Sequence, residues 1–126
     1  MIKLTSIGFS NKKGKKLLFD IPEEMQLKFD YNFGTVREEV LFAGGMILAA
    51  PKKEMKLFLT CESETEEKLT LEYLYFKAKG ESVLQEFKIP QKMAIPFQKA
   101  GTDNQAAEFA GMVFVKIISN AILKPR

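Results

Sequence analysis

Histidine is missing from this sequence, and its absence sets the terms for any chemistry the chain performs. Without an imidazole there is no Ser-His-Asp or Cys-His machinery, no general base titrating near neutral pH, and almost none of the usual zinc and iron ligand sets. Cys61 is the only thiol. A nucleophilic thiolate needs a base or a helix N-terminus beside it. Cys61 instead falls in step with Met55, Leu57 and Leu59, the apolar side of an expected strand, and reads as a buried structural residue. Ser10-Asn11-Lys12-Lys13 has the Ser-x-x-Lys spacing of the penicillin-recognising acylases. Those enzymes place the serine at a helix start and add a Lys-Thr-Gly element; here the serine sits in a glycine-bearing hairpin and Lys-Thr-Gly is absent. Glu62, Glu64, Glu66 and Glu67 cluster without the Asp-x-Asp-x-Asp-Gly spacing of a calcium loop and read as a solvated hairpin tip. The neighbours Glu23/Glu24 and Glu38/Glu39 would point to opposite faces of a strand, which makes them poor acid/base partners. The residues predict no catalytic group, no metal site, no cofactor, and a protein that is not an enzyme.

Binding is the better prospect. Lys12, Lys13, Lys15 and Lys16 surround Gly14 and form the densest basic patch, able to straddle a phosphate backbone while Phe9 or Phe19 stacks bases. The same lysines would also solubilise a hairpin and blunt a strand edge. Tyr31, Tyr73 and Tyr75 are candidate stacking residues. A formal charge of +3 permits nucleic-acid binding without demanding it. No phosphate-binding glycine loop occurs.

The elements that must position these groups follow from periodicity. Ile2 to Phe9 and Lys16 to Ile21 form an expected hairpin, closed by Pro22. Leu27 to Phe33 alternates strictly between apolar and polar, the pattern of a half-buried strand. Val36 to Ala50 reads as a long strand with a bulge or bend at Gly44-Gly45. Met55 to Glu62, Leu69 to Lys79 and Val83 to Ile89 are further strands. Thr102-Asp103-Asn104-Gln105 has the form of a capping box and opens a helix running to Lys124. Its apolar stripe takes in Ala106, Phe109, Ala110, Val113, Ile117 and Ala121. That stripe is widened by Phe114, Ile118 and Ile122, with Met112 and Val115 beyond it. A band so wide exceeds what one sheet face covers, so Phe109, Met112, Val113, Phe114, Ile117 and Ile118 are a candidate oligomer interface. Short connections make sequential strands antiparallel. The expectation is an α+β fold: a curved antiparallel β-sheet of six to seven strands followed by one long C-terminal helix. It forms a single domain over residues 1–126, of ordinary domain size, with no internal repeat. No apolar run reaches the ~20 residues of a membrane span, no signal peptide is evident, and the single cysteine suits a reducing cytoplasm.

The run Leu57-Phe58-Leu59-Thr60-Cys61 followed by Leu71-Glu72-Tyr73-Leu74-Tyr75-Phe76, with Ile95-Pro96-Phe97 before the last helix, resembles the SecB-type export chaperones at the level of topology. The resemblance covers about half the chain. It lacks the arginine after the aromatic pair, the acidic balance and the acidic C-terminal segment of that family. It implies an oligomer presenting Phe-rich grooves to unfolded chains. With 11 Phe and 6 Met in the composition, two functions are carried forward. The first is a non-catalytic, oligomeric module contacting protein or peptide partners. The second is a single-stranded nucleic-acid binder built on the lysine hairpin and tyrosine stacking.

Overall fold

The computed structural model describes residues 1–30, 34–49, 68–98 and 101–123. Strand β1 (Ile2–Ser10) and strand β2 (Lys16–Asp20) form the expected first hairpin. The Asn11 side chain accepts hydrogen bonds from the backbone N–H groups of Lys13 and Lys15, and Gly14 takes a positive φ of 84°, a conformation glycine adopts without steric cost. Ile21-Pro22 then leads into a 3-10 turn (Glu23–Met25), and β3 (Leu27–Phe29) returns to pair with β1. Beyond it, residues 31–33 lie outside the described residues, as do 50–67 with the expected Met55–Glu62 strand, the acidic tip and Cys61.

Helix α1 (Val36–Ala49) occupies the segment Val36 to Ala50 that was expected as a long strand. Thr35 is its N-cap, accepting the Glu38 N–H on its hydroxyl at 3.2 Å. Glu39, Val40, Ala43, Gly44, Ile47 and Leu48 are buried, the i, i+1, i+4, i+5 spacing of one helical face. Gly44 and Gly45 mark no bulge. Gly44 sits against the Phe87 ring and Gly45 faces open space. The apolar run from Val40 hid the period of 3.6, because a continuous run fits a buried strand and a buried helix equally.

The second hairpin and the last helix match expectation, while the 3-10 turn and the strand between them were not expected. Strands β4 (Lys68–Ala78) and β5 (Leu84–Lys88) form a second hairpin; a 3-10 turn (Gln91–Met93) and β6 (Ile95–Gln98) follow. Helix α2 (Asp103–Leu123) closes the fold. Its capping box is reciprocal: Gln105 N–H donates to the Thr102 hydroxyl at 3.2 Å, and the Gln105 side chain accepts the Thr102 N–H at 3.1 Å. The fold is α+β, with an open six-stranded antiparallel sheet among the described residues. Its order is β2-β1-β4-β5, with β3 also on β1 and β6 also on β4. No helix of the described residues is long and apolar enough to cross a membrane.

The order long strand, short strand, 3-10 turn, short strand, helix occurs twice. Ile21-Pro22-Glu23-Glu24-Met25-Gln26-Leu27-Lys28-Phe29 corresponds to Ile89-Pro90-Gln91-Lys92-Met93-Ala94-Ile95-Pro96-Phe97, and Gly34-Thr35 to Gly101-Thr102. The chain therefore contains an internal repeat. Outside that motif the two units share burial rather than identity, since apolar side chains exchange freely in a core of fixed volume. The register shows how the units meet. Ile7 pairs with its own counterpart Leu74, and flanking pairs map onto each other: Ser6↔Tyr75 onto Gly8↔Tyr73, Leu4↔Phe76 onto Phe9↔Leu71. A pseudo-two-fold axis thus passes through the β1–β4 pair, with a bulge at Thr5 on one side and at Glu72 on the other. Each helix lies on the hairpin of the opposite unit. Gly44 of α1 abuts Phe87 of β5, and Gly111 of α2 abuts Phe19 of β2.

Between sheet and helices lies one core. Ile2, Leu4, Ile7 and Phe9 of β1 and Leu69, Leu71, Leu74 and Phe76 of β4 are fully buried. The ring pairs Phe9–Phe97 and Phe29–Phe76 meet edge to face, the geometry favoured by the ring quadrupole. On α2 the buried stripe is Ala106, Ala107, Ala110, Phe114, Val115 and Ile118. Phe114 and Ile118, expected on an oligomer interface, are instead completely buried against the sheet. Phe109, on the expected apolar stripe and among the interface candidates, is 72% exposed. Gly111 favours this phase: the Phe19 ring occupies the place a side chain would take there, so the face without one can dock.

Candidate nucleic-acid interface on the open sheet face

Alternation on a sheet sends every second side chain away from the helices, and no helix of the described residues packs on that second face. Lys3, Ser6, Gly8 and Ser10 of β1 point there, with Lys16, Leu18 and Asp20 of β2. So do Lys28 of β3, Thr70, Tyr73, Tyr75 and Lys77 of β4, and Leu84, Glu86 and Lys88 of β5. At its centre Tyr73 and Tyr75 stack, ring centroids 6.3 Å apart and planes at 25°. They occur only in the second unit. Their counterparts in the first are Ser6 and Gly8, and this asymmetry makes room for the rings. A Cβ at Gly8 would lie 2.8 Å from the Tyr73 Cβ and 3.1 Å from the Tyr75 Cε2.

Lys16 crosses this platform. Its ammonium lies 4.1 Å from the Tyr73 ring centroid and 4.9 Å from that of Tyr75, within cation–π range. It pairs with Glu86 at 3.3 Å, which also accepts the Tyr75 hydroxyl at 3.1 Å. Burial pushes the Tyr75 phenol above its ordinary range, the nearby Lys16 ammonium opposes this, and Glu86 adds to the rise. The Tyr75 hydroxyl in turn raises Lys16 above its usual value, with desolvation opposing and Glu86 adding to the rise. Ser6 donates to Asp20 at 2.9 Å alongside.

The sequence candidates thus divide. Lys16, Tyr73 and Tyr75 come together on one face. Lys12, Lys13 and Lys15 sit exposed in the turn of the first hairpin, which Asn11 ties to the start of α2 through Asp103 at 3.2 Å. Tyr31 lies outside the described residues. Of the helix candidates, Met112 and Ile117 are partly buried against the core, Val113 is half-buried, and Phe109 projects outward. Composition and spacing missed a second group. Lys28 pairs with Lys3 and Lys3 with Lys77, so three lysines form a row across adjacent strands at one end of the face. The signal existed only as single lysines in the polar phase of three separate strands. Among the described residues no group of three or more His, Cys, Asp or Glu is assembled. No family model matches this chain, and searches of curated proteins and of solved structures return no match.

Proposed function

We propose that this protein is a non-catalytic binding module whose open sheet face takes single-stranded nucleic acid. One observation carries the reading: a stacked tyrosine pair on a helix-free sheet face, beneath a lysine ammonium. Stacking on such a ring is sequence-tolerant and contributes about 1–3 kcal/mol per base. The face carries Lys3, Lys16, Lys28, Lys77 and Lys88 against Asp20 and Glu86, a balance that attracts a phosphate backbone. Tyr73 is the ring a base reaches, because Tyr75 is only 8% exposed and its hydroxyl is committed to Glu86. Lys16 must leave the Tyr73 ring for a base to enter. Its ion pair with Glu86 is solvent-exposed, and such pairs contribute about 0–1 kcal/mol, so the ammonium exchanges ring and carboxylate for phosphate at little cost.

Fluorescence anisotropy with a labelled oligothymidylate at low salt tests this. Tyr73→Ala is expected to weaken binding about 5- to 150-fold, the equivalent of one stacked base. Gly8→Val is expected to act similarly by displacing both rings, with circular dichroism confirming the fold. Absence of binding by the unmodified chain, or a Tyr73→Ala variant that binds equally well, refutes the reading.

A protein- or peptide-contacting role, with self-association, is the second reading. It is favoured by Phe109 at 72% and Leu41 at 48% exposure on the two helices. Light scattering that returns a monomer, unchanged by Phe109→Ser, removes self-association. A cytoplasmic setting accords with either role, given a single cysteine.

A further inference from the structure

The lysine row stands apart from the tyrosine platform and poses its own problem. Lys28, Lys3 and Lys77 lie directly opposite one another on β3, β1 and β4. Side chains so paired have Cβ atoms about 5 Å apart, and like charges there are destabilising. Lys79 continues the row, its N–H donating to the Met1 carbonyl at 3.0 Å and extending the β1–β4 ladder. Together with Met1, Ala78 and Gly80 the four lysines line a cleft of about 370 Å³, with no acidic residue among the described residues of its wall. Of the ion pairs between described residues, Lys16–Glu86 lies on the tyrosine platform, and at the cleft the Met1 ammonium, not a lysine, takes the Glu39 carboxylate at 3.7 Å. None of the four lysines has a carboxylate partner among the described residues.

Edge protection accounts for lysines on outer strands, and it covers Lys28. It does not cover Lys3 and Lys77, which sit on the two central strands of the sheet. Nor does the fold itself require charge at this level. At the other end of the same face, the pseudo-two-fold axis places Ser10 opposite Thr70 and Thr70 opposite Pro96, where this end has Lys77 opposite Lys3 and Lys3 opposite Lys28. The repulsion is specific to one end. A bound anion relieves it, and ammonium groups are compact point charges that suit phosphate oxygens arriving from several directions.

We propose that the Lys3–Lys28–Lys77–Lys79 cleft is a phosphate-binding subsite that anchors one end of a strand crossing the face. Lys77 follows Tyr73, the ring a base reaches, by four residues on β4, about 13 Å along the strand, so a strand with one base on Tyr73 reaches the row with its backbone a nucleotide or two further on. The anchoring of a strand rests on the function proposed above; phosphate capture by the row does not.

Two titrations of the full chain test the two parts separately. In the first, inorganic tripolyphosphate is followed by amide NMR, and the signals of Lys3, Lys28, Lys77 and Lys79 are expected to move well before those of Lys12, Lys13 and Lys15. Equal movement at both lysine groups, or none at the row, overturns the subsite. In the second, oligothymidylate binding is measured between about 50 and 200 mM salt. The triple variant Lys3→Gln, Lys28→Gln, Lys77→Gln is expected to lower the salt slope by about 2, at ~0.7 per lost contact. An unchanged slope overturns the anchor. Tripolyphosphate binding at the row without oligothymidylate binding leaves the subsite standing and sinks the tyrosine reading. Oligothymidylate binding that needs Tyr73, with an unchanged slope in the triple variant, leaves the tyrosine reading standing and sinks the anchor. Relief of repulsion makes the triple variant at least as stable as the parent. If it fails to fold, Lys3→Gln alone is expected to lose about 0.7 of the slope, and a slope unchanged in that variant overturns the anchor.

Discussion

Replacing Gly44 by alanine adds a methyl group 2.6 Å from the Cδ2 and Cε2 atoms of Phe87, well inside contact distance. Phe87 is 9% exposed and belongs to the core, so its ring moves only by disturbing its neighbours. Overpacking of this kind costs about 1–3 kcal/mol. Alanine returns about 0.8–1 kcal/mol in helix propensity, leaving a net loss of about 1 kcal/mol. Gly45, the next residue, supplies the control: it is exposed, and nothing lies within 4 Å of the place its methyl group would take. Gly45→Ala therefore keeps the propensity gain and stabilises the chain by up to about 1 kcal/mol. At the symmetry-related position, Gly111→Ala meets Phe19 closest at Cδ2 and next at Cγ. The Cγ atom cannot withdraw without a change of χ1, whereas the contact at Gly44 is with the outer ring of Phe87. The Gly111 variant is accordingly the worst of the three, by about 2 kcal/mol net. Urea unfolding ranks them, with Gly45→Ala above the parent, then Gly44→Ala, then Gly111→Ala. Adding Phe87→Leu checks that the loss arises at the ring: it should recover part of the stability of Gly44→Ala and none of that of Gly111→Ala. Equal stability of Gly44→Ala and Gly45→Ala would refute the crossed docking of the helices.

Two further outcomes follow from the caps and from the tyrosine cluster. Thr35→Ala and Thr102→Ala each remove an N-cap hydroxyl and should cost about 1 kcal/mol in thermal or urea unfolding; a Ser at either site should restore most of it. Tyr75 and Lys16 both hold their protons more tightly in the folded chain than their ordinary values of 10.0 and 10.5. The stability they contribute is complete below those values and is lost as pH rises through the folded ones, so urea midpoints should fall above about pH 10. Lys16→Met removes the cation that favours the phenolate and should move the Tyr75 titration, followed by ultraviolet difference spectra, still higher; Glu86→Gln should lower it. A tyrosine titration that ignores both substitutions contradicts the geometry of the cluster.

Much of this architecture was legible in the residues themselves. Turn signals at Asn11–Lys15 and Gly80–Ser82 between segments rich in strand-forming residues placed both hairpins, because a tight turn and the arms it joins are neighbours in sequence. Thr102 and Gln105 placed the start of α2, since their hydrogen bonds are local and need no tertiary partner. The excluded chemistries also followed from composition, as no fold can supply a missing imidazole. Other features needed the tertiary structure. The run from Val40 to Ala49 carried no polar phase to reveal its period, and the structure shows it as a helix capped by Thr35 and docked on Phe87. The apolar faces of α2 were too alike to rank, and the close approach at Gly111 favours the one that is buried, with Phe114 and Ile118 inward and Phe109 out. The repeat survived as a pattern of burial rather than of letters. The two lysine groups show the same division. A hairpin tip concentrates Lys12, Lys13, Lys15 and Lys16 in sequence, where they are easily seen. The row of Lys3, Lys28 and Lys77 exists only through strand register, because cross-strand neighbours are set by pairing and not by distance along the chain.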